Sequence, residues 1–141
     1  MVPVDDGASA APMDRAVLER LRSRLLGIRP VAAAEIEAGG KPYLRVELAG
    51  AYYPHAISAR LEIRWYRNDD FTIHYREKRE DGAWECRWDR HPNIHNSSDH
   101  FHPPPSAHRT EAQDAQWPDD HRDVCQLVFD FLEDRIETLW E

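Results

Sequence analysis

The sequence reads as an α+β domain, an antiparallel β-meander of about five strands with an N-terminal and a C-terminal helix packed on one face. Three observations predict this. Segments around Arg60–Tyr66, Phe71–Arg76 and Trp84–Asp89 each alternate apolar with charged residues, the period-2 signature of a half-buried strand. The breaks between them, Asn68-Asp69-Asp70 and Asp81-Gly82, are too short for a parallel crossover and favour antiparallel neighbours. Stretches with helical apolar spacing lie on either side of this sheet region.

The first helix begins near Pro12-Met13-Asp14. Val17, Leu18, Leu21 and Leu25 then form one apolar stripe, opposite Arg15, Glu19, Arg22 and Arg24, and Gly27 and Pro30 end it. From Val31 the period changes to two: Ala32, Ala34 and Ile36 alternate with Ala33, Glu35 and Glu37, and Gly39-Gly40 turns the chain. Leu44, Val46 and Leu48 mark a second strand, and residues 50–57, with Pro54, form a loop. In the meander, Leu61, Ile63 and Trp65, then Phe71, Ile73 and Tyr75, then Trp84, Cys86 and Trp88 face the core. Regular structure is expected to stop after Pro92 and resume near Pro118, since the intervening prolines oppose helices and paired strands. A final helix follows, N-capped by Asp119 or Asp120, with Val124, Leu127, Val128, Phe131, Leu132, Ile136 and Leu139 on one stripe.

A chain of 141 residues suits one domain. We divide it into a flexible leader over 1–12 and a single α+β domain over 13–141, with a His/Pro-rich loop at 91–118. No apolar run approaches the ~20 residues needed to cross a bilayer, and the acidic start lacks a signal-peptide pattern. The expectation is a cytoplasmic protein without a membrane partner. Cys86 and Cys125 are widely spaced and read as buried thiols. The net charge of −8 argues against non-specific nucleic-acid binding. However, Arg60, Arg64, Arg67, Arg76, Lys78 and Arg87 gather mid-chain, which leaves room for a local basic patch.

Six of the eight histidines lie between His91 and His121, densest in the run HPNIHNSSDHFHPPP. In extended backbone His100 and His102 point to the same side, and His95 is close enough to join them. These three are the candidate metal ligands, suited to a transition metal such as zinc. The competing reading has no cofactor: the loop crosses the sheet edge as a flap, its ring nitrogens satisfying backbone carbonyls. Arg90 and His95 also match the R-x4-H string of some helical ribonucleases, but here the string follows strands and is read as coincidence.

The second constellation is the polar face of the meander, onto which Arg64, Tyr66, His74, Arg76, Arg87 and Asp89 should project. Arginine, tyrosine and histidine without metal suffice for a small ribonuclease. Imidazole or phenol moves the 2′-hydroxyl proton, and guanidinium offsets charge on the phosphate. The candidate catalytic set is Tyr66, His74, Arg76, Arg87 and His91, the last reaching the face from the loop. A solvated surface of cross-strand ion pairs is the plain alternative.

From Tyr66 to Pro105 the chain combines Tyr-Arg, an Asp-Gly turn, Arg87-Trp88-Asp89, His91-Pro92 and a His/Pro-rich tail. This order resembles the TumE-type toxins of prokaryotic toxin–antitoxin modules, over residues 61–139. The loop here is longer, with HFHPPP in place of a tighter His pair, and the N-terminal helix is less familiar. The resemblance implies a toxin-like protein neutralised by a cognate antitoxin protein, and carries over no catalytic residue. The leading expectation is therefore a toxin-like, metal-independent ribonuclease acting on RNA through the polar sheet face. The alternative is a non-enzymatic metal-binding or regulatory interaction protein that uses the loop, with a homo-oligomer left open.

Overall fold

The computed structural model describes residues 11–91 and 98–141. Two helices, α1 (Arg15–Leu25) and α2 (His121–Leu139), cover one face of a seven-stranded antiparallel sheet. The strands are β1 (Val31–Glu37), β2 (Tyr43–Leu48), β3 (Ser58–Trp65), β4 (Phe71–Arg79), β5 (Gly82–Arg90), β6 (Asp99–His102) and β7 (Gln113–Asp114). They pair strictly in chain order, so the sheet is a pure meander.

The expected α+β class and both helices are present, but the count of about five strands is too low. The two extra strands lie inside the stretch expected to be irregular. The His/Pro-rich segment extends the sheet where a flap was expected: β6 pairs with β5 through Arg87↔His102, Trp88↔Phe101, Asp89↔His100 and Arg90↔Asp99. β7 then pairs with β6 through His100↔Asp114 and Phe101↔Gln113. Prolines do not prevent this because they fall between the strands and retain their carbonyls. The Pro105 carbonyl accepts the Glu85 N–H at 2.8 Å, continuing the cover of the β5 edge beyond β6.

Side-chain caps set both helix starts, at Asp120 as expected and at Asp14 as well. The Asp14 side chain accepts from the Val17 N–H at 3.1 Å, and that of Asp120 accepts from Arg122 N–H at 2.7 Å. At the N-terminal side, the Pro12 carbonyl accepts from the Arg67 N–H and Met13 bridges to Tyr66, so the chain is tied down just before α1.

One apolar core lies between the helices and the sheet. Leu18, Leu21 and Leu25 of α1 meet Val124, Val128 and Leu132 of α2 over Leu44, Val46, Leu61, Ile63, Trp65, Ile73 and Trp88. Trp65 stacks on Phe71 with ring centroids 4.8 Å apart. Phe131 of α2 touches Trp84, Trp88 and Phe101 edgewise or stacked, which seals the β5–β6 end. Both cysteines are buried and free.

A polar group interrupts this core. Period-2 alternation turns Glu77 inward with Phe71, Ile73 and Tyr75, and its side chain is fully buried. Arg135 of α2 meets it with two hydrogen bonds of 2.8 Å, Tyr75 donates at 2.7 Å and Arg79 at 3.1 Å. The Arg135 guanidinium also lies 3.6 Å from the Trp84 ring centroid. Glu77 therefore ties the sheet to α2 with every acceptor site in use.

Candidate functional site

The helices leave the opposite face of the sheet open, and its chemistry follows from strand alternation. In β3, β4 and β5 the residues between the core positions, Arg64, Thr72, His74 and Arg87 among them, share this face. The Gly39-Gly40 turn and Lys41 rise beside it, as do Tyr43 from the start of β2 and Tyr66 from the end of β3. Together they enclose an open basin of about 710 Å³, with Glu37 at its rim. Three cationic side chains, Lys41, Arg64 and Arg87, line this basin on a protein of net charge −8. Against these three cations the lining carries one carboxylate, Glu37, so the basin lining is net cationic and suits an anion.

Two features organise the basin. Arg64 lies over the Tyr43 ring, 4.6 Å from its centroid, which orients the guanidinium. His74 Nε2 is 2.7 Å from Glu85 Oε1 on the neighbouring strand. Burial lowers the His74 pKa below the ordinary imidazole value, and Glu85 only partly restores it. The ring is therefore neutral at neutral pH and oriented by a carboxylate, the condition in which an imidazole accepts a proton.

Arg87 connects the basin to a second group at the β5–β6 edge. Its Nε donates to Asp89 Oδ2 at 3.0 Å, and His102 Nε2 stands 2.8 Å from the same oxygen. Arg87 Nη2 is also 3.2 Å from His102 Nε2. A ring nitrogen that donates to Asp89 cannot accept from Arg87. The shorter, charge-assisted contact to the carboxylate therefore assigns the proton to Nε2. Asp89 has a fully buried side chain. Desolvation pushes its pKa up, but the His102 hydrogen bond and the charges of Arg87, His102 and His91 outweigh this and hold it below the ordinary carboxylate value.

His100 lies directly opposite Asp89, its pKa lowered by burial and by His91, whose ring centroid is 5.6 Å away. His91 Nε2 is 3.9 Å from Asp89 Oδ2. Within this group Asp89 Oδ1, His100 Nε2 and His102 Nδ1 are buried and have no hydrogen-bond partner among the described residues. Such a concentration of unmet polar atoms is rare in ordinary sheet packing.

The structure thus divides the sequence candidates. Tyr66, His74 and Arg87 meet in the basin. Arg76 is on the same face but belongs to a neighbouring groove with Arg60 and Lys78. His91 stands behind Arg87 in the Asp89 group. Of the metal candidates, His100 and His102 do point to one side, as their spacing requires, but they flank Asp89; His95 lies outside the described residues. Among the described residues no set of three or more His, Cys, Asp or Glu side chains is arranged to hold a metal ion. Arg90, from the R-x4-H string, is structural: it pairs with Asp99 at 2.8 Å and donates to the carbonyls of Trp117 and Pro118.

Lys41, Tyr43 and Glu85 escaped the sequence reading. Their signal was present only in the register, which brings the β1–β2 turn over β3 and sets Glu85 diagonal to His74.

The sequence model for toxin TumE matches residues 18–136, a span running from α1 to near the end of α2. The chain belongs to the TumE toxin family. Neither the curated proteins nor the solved structures contain a significant match. The basin and the Asp89 group both lie within the TumE span, so both are features of the toxin domain itself. No helix among the described residues is long and apolar enough to cross a membrane.

Proposed function

We propose that this TumE-family toxin acts on RNA as a metal-independent ribonuclease, with the basin on the open sheet face as its active site. The observation that carries the reading is the neutral, carboxylate-oriented His74 set among Lys41, Arg64 and Arg87 with Tyr66 beside it. His74 takes the proton of a 2′-hydroxyl, and the freed oxygen attacks the adjacent phosphorus. The bond from phosphorus to the 5′-oxygen breaks, and Tyr66 protonates that leaving oxygen. Arg87 and Arg64 offset the charge that builds on the non-bridging oxygens. The products are a 2′,3′-cyclic phosphate and a 5′-hydroxyl. Arg76, with Arg60 and Lys78 in the next groove, extends the cationic track for flanking phosphates. A cognate antitoxin protein is the partner that would hold the activity in check.

The test is incubation of the purified protein with RNA oligonucleotides in excess EDTA, with product ends identified by mass. Cleavage leaving a cyclic phosphate, abolished in folded His74→Ala and reduced at least tenfold in Arg87→Ala, supports the assignment. Cleavage that persists undiminished in both folded variants would refute it, as would a protein that arrests growth without cutting RNA.

A further inference from the structure

An apolar groove lies on the helix side, opposite the basin. Among the described residues the exposed large hydrophobics are Leu26 at 44%, Tyr52 at 37% and Trp140 at 59% relative exposure. Of these, Tyr52 lines the groove. Ile28, Pro30, Tyr52, Phe129 and Ile136 form its apolar lining, around a volume of about 340 Å³. The exposed Trp140 is held beside Tyr52, its Nε1 donating to the Tyr52 carbonyl at 2.9 Å. Scattered single hydrophobics are normal on a surface, whereas a contiguous set around a concavity marks a binding site.

Charge selects the occupant. Asp130 and Glu133 line the groove, and Asp123, Asp134 and Glu137 continue the acid along the exposed side of α2. The basic residues of this helix are occupied elsewhere: Arg135 turns inward to Glu77, and Arg122 is held by Asp120. Arg29 is the single cation at the groove. An RNA chain or an anionic lipid surface would meet like charge here. So would a second copy packed two-fold, because its acidic helix would face this one. The chain's own N-terminal stretch, with Asp5 and Asp6, has the wrong sign as well.

We propose that this groove docks an amphipathic helix of a protein partner, one whose apolar stripe is flanked by lysine or arginine. Its apolar side chains enter between Ile28, Tyr52, Phe129 and Ile136, and its cations meet Asp130 and Glu133. This assignment stands apart from the RNA reading, since the two surfaces lie on opposite layers of the fold.

The test uses the full chain and two synthetic amphipathic peptides of 14 residues, one of leucine and lysine, the other of leucine and glutamate, followed by calorimetry. The Leu/Lys peptide is expected to bind and the Leu/Glu peptide not. The double charge reversal Asp130→Lys/Glu133→Lys should weaken binding at least tenfold. The equivalent reversal at Glu111 and Asp119, exposed acids that precede the helix, should leave it within twofold. A single-stranded RNA competitor should not displace the peptide. Equal binding of both peptides, equal loss in the two reversals, or displacement by RNA would overturn the proposal. Sedimentation as a dimer that Trp140→Ser dissolves would reassign the groove to a second copy.

Discussion

Removing Arg135 should be among the most damaging single changes in the protein, although it lies far from the basin. Its side chain is 14% exposed and its partner Glu77 is 0% exposed. Truncation leaves a buried carboxylate with Tyr75 and Arg79 as its remaining donors among the described residues. Breaking a buried ion pair by removing one partner costs about 3–5 kcal/mol, and loss of the contact with Trp84 adds to that side of the balance. For a domain near this length, with roughly 3 °C of Tm per kcal/mol, Arg135→Ala should lower Tm by about 10–15 °C. A double-mutant cycle separates the attraction from the desolvation. Replacing both residues by methionine should cost less than Arg135→Met alone, because no uncompensated charge then remains.

The same pair has a pH signature. Burial raises the Glu77 pKa, but Arg135, Tyr75 and Arg79 outweigh it and hold the carboxyl below its ordinary 4.5. A folded pKa below the unfolded one gives stability that is present above about pH 4.5 and lost as pH falls through the folded value. The stability gap between wild type and Glu77→Gln should therefore narrow below that pH. Urea unfolding of the single and double variants from pH 7 to pH 3 measures both effects. A loss under about 1 kcal/mol in Arg135→Ala, or a double variant costing the sum of the singles, would refute the reasoning.

Three further outcomes follow from the site. Burial holds His74 below the ordinary imidazole pKa and Glu85 opposes that shift, so the acid limb of the RNA-cleavage profile should lie below pH 6.5 and move lower still in Glu85→Gln; an upward move contradicts the assigned role. Asp89→Asn keeps the shape but removes the charge that holds Arg87 and His102, and should reduce cleavage at least tenfold while a hydrogen-exchange map still reports β5 and β6 paired. Phe101→Ala removes the half-buried ring packed against Trp88, Trp117 and Phe131; it should cost about 2–3 kcal/mol, at or below the lower end for aromatic truncation, measurable by thermal unfolding.

Where local pattern carried the information, the sequence was legible. Pro12-Met13-Asp14 marked the first helix start and Asp120 the second by capping chemistry, and the alternation from Leu61 to Trp88 declared which residues face the core. β6 gave no such signal. Its four residues, Asp99-His100-Phe101-His102, contain one apolar side chain, and a single apolar residue defines no period. β7 has two residues and exists only because β6 offers an edge to pair with. Glu77 was misleading in the opposite direction. A glutamate at an inward position breaks the apolar pattern, and only the distant Arg135 makes it tolerable. Tyr66, His74 and Arg87 could be named from alternation alone, whereas Lys41, Tyr43 and Glu85 depended on register and turn placement.

The extra strands also change what the histidine-rich run can do. As a flap, its imidazoles would have been turned to backbone carbonyls at the sheet edge. As a strand, directly opposed register places His102 against Arg87 and His100 against Asp89, on the same face as the basin. Asp89 can then restrain Arg87 from behind, through a carboxylate that is buried and kept ionised by His102 and its neighbours. A guanidinium held this way loses less freedom when it meets an anion than one free in solvent, because its orientation is already set. β6 thus links the densest histidine run in the sequence to the basin through Arg87, without any described histidine of that run lining the basin. In the ribonuclease we propose, that arrangement gives the run a positioning part and leaves the proton transfers to His74 and Tyr66.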